Sequence, residues 1–165
     1  MNLNIAGIVP ESIVDGKGIR YTVFVQGCPH HCPGCHNPQT HPFEGGKVRS
    51  VKKIFEEFQK DPILKGITFS GGEPFCQPGP LAELAKLVHS VGKDVTVFSG
   101  WTYEELTAKH DPDTDALLAE TDVLIDGRFV EELKNLELSF RGSENQRVID
   151  MKKTREQGAV VLLEV

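Results

Sequence analysis

Residues 21–37 read YTVFVQGCPHHCPGCHN, a strand-like run followed at once by three cysteines and three histidines in nine positions. β-Branched and aromatic side chains between Tyr21 and Gln26 favour extended backbone, and Gly27 opens a loop. The cysteines therefore hang from the C-terminal end of a strand. Downstream, Val48, Val51, Ile54, Phe55 and Phe58 recur at helical spacing and predict an amphipathic helix that stops before Pro62. GITFSGGEP (66–74) reads as a strand running into a glycine-rich loop. Pro80 suits a first helical turn, with Leu81, Leu84, Ala85, Val88 and Val91 on one face and a stop at Gly92. DVTVFSG (94–100) and DVLIDG (122–127) are two further strands. Between them Thr102 and Glu105 have capping-box spacing, and Asp111-Pro112 starts another helix that reaches Ala119. Beyond Phe129, FVEELK reads as a helical turn, LSFRGSENQRVID as a loop and AVVLLEV as a last strand.

Strands alternating with helices predict βαβ units with right-handed crossovers, hence an α/β fold with a mostly parallel sheet and helices packed on it. Four such strands are too few for a complete eightfold barrel. The chain of 165 residues is expected to form one domain, residues 1–165. Ligands in such sheets lie outside the C-terminal strand ends. Here those ends read GCPHHCPGCHN, SGGEP, SGW and DGR, and their convergence is the expected site.

Composition narrows the partners. A hydrophobic share of 39% and a charged share of 25% are globular values, and no apolar run approaches the ~20 residues that span a bilayer. The N-terminus lacks a basic stretch followed by an apolar core, so no membrane partner and a reducing cytoplasm are expected. A formal charge of −6 without a long basic run argues against nucleic acid.

Cys28, Cys32 and Cys35 have the spacing C-x3-C-x2-C. A cubane held by three thiolates keeps one iron open to another ligand, whereas an electron-transfer cluster is closed by a fourth cysteine. Structural zinc is the competing reading, with His30, His31, His36 or His41 completing a Cys3His site. A disulfide would leave one cysteine of the trio unpaired. Cys76 reads as a small buried thiol rather than a fourth ligand. Pro29 and Pro33 stiffen the loop, and Gly34 allows close approach to its backbone.

A three-cysteine loop after the first strand and a GGEP loop after the second together resemble the radical S-adenosylmethionine enzymes. VDGKGIRYTVFVQGC (14–28) is similar to the glycyl-radical activating enzymes of that superfamily, and VLIDGRFVEELKNLELSFRGSENQRVID (123–150) to those serving anaerobic ribonucleoside-triphosphate reductase. The resemblance implies an incomplete, TIM-like barrel of mostly parallel strands with helices outside. It implies a 4Fe-4S cluster on Cys28, Cys32 and Cys35 whose open iron takes S-adenosylmethionine. Gly71 and Gly72 would meet the methionyl amino group, and Gly34, Cys35 and His36 would border the same ligand. The reaction implied is reductive cleavage to methionine and a 5′-deoxyadenosyl radical, which takes a hydrogen atom from a glycine of the reductase. Partners implied are that reductase, a low-potential donor such as flavodoxin or ferredoxin, and a second copy of the chain.

The sequence departs from that pattern at Gly34, where many members carry an aromatic residue, and at Lys17, where DGPGIR is expected. Arg128 reads either as a partner for the methionyl carboxylate or as a surface ion pair. Trp101 is assigned to the core rather than a partner-facing rim, and Asp15, Gly16 and Gly18 to a tight turn. Arg141, Asn145 and Arg147 are either reductase contacts or a solvated loop.

Overall fold

The computed structural model, which describes residues 1–35 and 37–164, builds a seven-stranded sheet among those residues. The strands are β1 (Asn2–Ser12), β2 (Arg20–Val25), β3 (Lys47–Ser50), β4 (Gly66–Gly71), β5 (Asp94–Phe98), β6 (Val123–Asp126) and β7 (Arg147–Asp150). Their spatial order is β3-β1-β2-β4-β5-β6-β7. The parallel strands β2, β4, β5 and β6 are those legible in the sequence. Helices α1 (Val51–Gln59), α2 (Pro78–Ser90), α3 (Tyr103–Ala108), α4 (Pro112–Ala119) and α5 (Met151–Gln157) complete the mixed α/β architecture.

Side chains alternate between the two faces of each strand. Tyr21, Val23 and Val25, with Ile67, Phe69, Val95, Val97 and Leu124, join Ile54 and Phe58 of α1 and Leu81, Leu84 and Val88 of α2 in one core. Each fully buried large side chain contributes roughly 1.5–3 kcal/mol. The intervening positions are different in kind. Register aligns Thr22, Thr68 and Thr96 in one row and Arg20, Gly66 and Asp94 in the next. Arg20, 1% exposed, reaches across Gly66 to Asp94 at 2.6 Å. A Cβ at Gly66 would strike Asp94 and lie 2.8 Å from Nη2 of Arg20. Arg20 Nε donates to Thr68 Oγ1 at 2.7 Å and Nη1 to the Lys17 carbonyl at 3.0 Å. Thr68 Oγ1 in turn donates to the Asp15 carbonyl at 2.8 Å, so the Asp15–Gly18 turn is fastened to this polar face.

Several expectations are corrected. β1 pairs antiparallel with both β2 and β3 and carries register shifts along its pairing with β2, which break the alternation that would have revealed it. Val48 belongs to β3 and is 69% exposed; the helix begins only at Val51, capped by the Ser50 hydroxyl. Val91 lies past the end of α2 and is exposed. The stretch 138–150 is not wholly a loop, because its end forms β7 antiparallel to β6 and leads into α5. Among the described residues, 159–164 of the expected strand AVVLLEV form an isolated bridge, Ile149 with Leu162, and Val165 lies outside them. Antiparallel strands thus flank the parallel centre on both sides. The capping box at Thr102 and Glu105 is present, as is the Asp111 cap of α4. Among the described residues no helix is long and apolar enough to cross a membrane.

Candidate functional site

The cysteine loop is shaped at its base by backbone hydrogen bonds. After β2, Gly27 turns with φ 104°, and its N–H donates to Thr40 O at 2.7 Å while Cys28 N–H donates to His41 O at 3.0 Å. Nε2 of the buried Gln26 donates to Pro42 O at 2.6 Å. Within the loop Cys35 N–H donates to Cys32 O at 3.1 Å, a turn that draws those two cysteines together.

Cys28, Cys32 and Cys35 line one cavity of about 130 Å³ with Ser70, Gly71 and Gly72. Phe98 and Phe129 form its apolar side. A larger cavity of about 560 Å³ shares Cys35, Ser70, Phe98 and Phe129 with it and opens toward Ile13, Val14 and Arg141. Gly72 permits the close approach of the two loops: its N–H donates to Val25 O at 3.0 Å, and a Cβ there would collide with the Gly27 carbonyl. Gly71 turns with φ 101°. Gly34 packs toward Glu131 and Phe129, where a Cβ would come within 3.1 to 3.3 Å of their side chains. His36 lies outside the described residues.

Burial pushes the Cys28 thiol up to about 11. It raises Cys32 as well, partly offset by a hydrogen bond from the Phe129 backbone. A bare thiolate is disfavoured here, so ionisation calls for a cationic partner such as a metal centre. Cys76 sits in the 3-10 turn Pro74–Cys76, half-buried rather than buried, with its thiol pushed up to about 11 by desolvation. Among the described residues, no three His, Cys, Asp or Glu side chains converge on a single ion. The three thiols stand instead around a cavity, a soft donor set suited to an iron-sulfur cluster.

Glu73, to which the sequence assigned no role, and His30, read there only as a possible zinc ligand, organise the site. Glu73 of SGGEP is fully buried, and its carboxylate accepts from Phe75 N at 3.0 Å, Ser99 Oγ at 2.9 Å and Gly100 N at 2.7 Å. It also meets His30 Nε2 at 2.7 Å. His30 stands edge-on to Trp101 at 4.7 Å, and Arg128 Nε donates to its Nδ1 at 3.3 Å. Arg128 also pairs with Glu105 at 3.7 Å. A chain of side chains therefore links the loops after β2, β4, β5 and β6. The acid beside the two glycines of SGGEP was the available signal; its burial, tolerated only with donors around it, is visible only in the fold.

The remaining candidates are tied internally. Trp101 packs at the margin of the core, with Lys109 Nζ 3.1 Å from its ring centroid. Arg147 forms hydrogen bonds to Asp126 and Glu104, which hold its pKa above the usual value. Asn145 Nδ2 donates to Arg128 O at 2.8 Å, and Gln146 Nε2 to Gly127 O at 2.9 Å. Arg141 alone of the three borders the larger cavity.

The 4Fe-4S single cluster domain family matches residues 14–149. The chain is 37% identical over 148 residues to the anaerobic ribonucleoside-triphosphate reductase-activating protein of Escherichia coli strain K12, covering 84% of this chain and 93% of that protein. The protein of that name from Pasteurella multocida is 38% identical over 153 residues, covering 87% of this chain and 95% of its own length. Among solved structures, QueE from Escherichia coli superposes with a TM-score of 0.49 at 17% identity, over 62% of this chain and 54% of that one.

Proposed function

The chain belongs to the family of anaerobic ribonucleoside-triphosphate reductase-activating proteins, and from that premise we propose that it installs a glycyl radical on such a reductase. The observation that carries this reading is the meeting of Cys28, Cys32 and Cys35 with Gly71 and Gly72 on one cavity at the C-terminal ends of β2 and β4. In this reading the sheet is the incomplete barrel of the radical S-adenosylmethionine enzymes, in one domain spanning residues 1–165.

The three cysteines would hold the cluster, and the loop carrying them has no further cysteine to close its fourth iron. When bound, a 4Fe-4S cluster supplies the electron that splits S-adenosylmethionine into methionine and the 5′-deoxyadenosyl radical that takes hydrogen from the reductase glycine. Gly71 and Gly72 present backbone groups without side chains to the methionyl amino group. Gly34 and Cys35 border the adenine end, and His36, expected beside them, lies outside the described residues. Phe98 and Phe129, shared between the two cavities, exclude water from the reacting centre. The 560 Å³ cavity beyond Cys35 has room for the remainder of the ligand and the entering glycine segment. A low-potential donor such as flavodoxin or ferredoxin delivers the electron in the cytoplasm.

Anaerobic reconstitution followed by iron and sulfide analysis should yield a cubane whose paramagnetic spectrum changes when S-adenosylmethionine is added. Mixing the reduced protein with anaerobic ribonucleoside-triphosphate reductase and, separately, pyruvate formate-lyase should give a glycyl signal on the first only. Cys32→Ala should abolish the signal. A colourless, zinc-loaded protein that forms no 5′-deoxyadenosine would refute this function.

A further inference from the structure

The strand-end loops carry the cluster ligands and the glycines of the proposed cofactor site, and the Cys32 thiol accepts from the Phe129 backbone, but among the described residues no cysteine of the trio hydrogen-bonds to the Glu73 carboxylate of the SGGEP loop. His30 does. It lies between Cys28 and Cys32 in sequence, and its side chain is only 5% exposed although its neighbours Pro29 and His31 are exposed. Three independent contacts fix it. Nε2 meets the fully buried Glu73 carboxylate at 2.7 Å, Nδ1 accepts from Arg128 Nε at 3.3 Å, and the ring edge faces Trp101 at 4.7 Å. Gly100 leaves room for the ring, since a Cβ there would strike His30. Because guanidinium groups only donate, the Arg128 contact makes Nδ1 the acceptor, which leaves the Nε2–H to donate to the Glu73 carboxylate.

Glu73 is itself immobilised by Phe75, Ser99 and Gly100, so the position it imposes on His30 is set by the SGGEP loop and the loop after β5. The same SGGEP loop supplies Gly71 and Gly72 to the cavity. We propose that His30 is a positioning residue: through Glu73 it sets the cysteine loop, and hence the cluster, in register with the loop that receives S-adenosylmethionine. The inference rests on the functional reading above and extends it to a residue that lines the same cavity as the three cysteines and would act on the placement of the cluster through Glu73. Orientation of a few tenths of an ångström matters at such a centre, because ligand and electron source must meet in one geometry.

Conservative substitutions separate the two arms. A glutamine amide superposes on Nε2 and keeps the donor to Glu73, whereas an asparagine superposes on Nδ1 and keeps only the Arg128 contact. His30→Gln, His30→Asn and His30→Ala would be reconstituted anaerobically and compared with the wild type. Measured for each are iron per chain, secondary structure and thermal midpoint, the paramagnetic spectrum with and without S-adenosylmethionine, and the dissociation constant for that ligand. The expected result is full iron loading in all four. Ligand binding should weaken about tenfold or more in the Ala and Asn forms, with a broadened ligand-bound spectrum, the factor expected from losing a hydrogen bond to a charged group. His30→Gln should restore both readouts to within about threefold. If His30→Ala binds the ligand and answers it spectrally as the wild type does, or if His30→Gln fails as badly as His30→Ala, positioning through Glu73 is overturned. Should His30→Ala not fold, the contrast between Gln and Asn carries the same decision. A wild type that forms no cubane or does not respond to the ligand overturns the functional reading instead, which keeps the two failures apart.

Discussion

Glu73→Gln changes one atom and removes one charge from the most heavily bonded acid among the strand-end loops. The carboxylate serves four donors, from Phe75, Ser99, Gly100 and His30, and its two oxygens have about four lone-pair sites to match them. In glutamine one oxygen becomes an amide donor. Keeping the carbonyl oxygen toward Gly100 and His30 turns the new NH₂ toward the Phe75 backbone N–H, and the opposite orientation abandons two donors rather than one. The better arrangement still leaves a buried N–H without an acceptor, at roughly 1–3 kcal/mol, and weakens the bonds that the charge had strengthened. We expect a total loss of about 3 kcal/mol. At roughly 2–4 °C per kcal/mol for chains of this size, the thermal midpoint should fall by about 6–12 °C. The assay is circular-dichroism melting of the metal-free protein under reducing, anaerobic conditions, with urea titration to confirm an unchanged slope. A fall of less than about 2 °C would show that the carboxylate does not hold these loops together.

The other expectations concern the frame. Gly66→Ala should lose roughly 1–3 kcal/mol through overpacking, because a methyl group there forces Arg20 and Asp94 apart; an unchanged urea midpoint would refute that crossing. Thr102→Ala removes the hydroxyl that caps α3 and should lower stability by about 1 kcal/mol, whereas an unaltered midpoint would mean the capping box contributes nothing. His89 sits 2.7 Å from both Glu120 and Asp122; burial opposes its charge, but hydrogen bonds to Asp122 and Glu120 outweigh burial and hold its pKa above 6.5. A raised folded pKa contributes stability that is complete below 6.5 and is lost as pH rises through the folded value. His89→Gln should therefore be less stable than wild type at about pH 6, with the gap narrowing by about pH 8, and a gap independent of pH would contradict the assignment.

The amino-acid sequence by itself determined the parallel centre of the fold and which strand-end residues line the candidate cavity. YTVFV, GITFS, DVTVF and DVLID are β-rich runs separated by helical periodicity, and each ends in a glycine-containing loop, so strand ends and the residues they carry could be read directly. The trio Cys28, Cys32 and Cys35 and the pair Gly71 and Gly72 were legible for the same reason, because their spacing is local. What the sequence left open is everything that depends on pairing across a distance. β1 has bulged register and buries only Leu3, Ile5 and Ser12 fully, so its strand character comes from β2 and β3 rather than from its own pattern. β7 is short and is defined by hydrogen bonds to β6, which no window along the chain contains. Glu73 and His30 are separated by 43 residues, and nothing near either one announces the other. Local propensity and spacing act along the chain and survive in the sequence; a buried charge is tolerated only where several remote donors converge, and that convergence exists only once the strands have aligned.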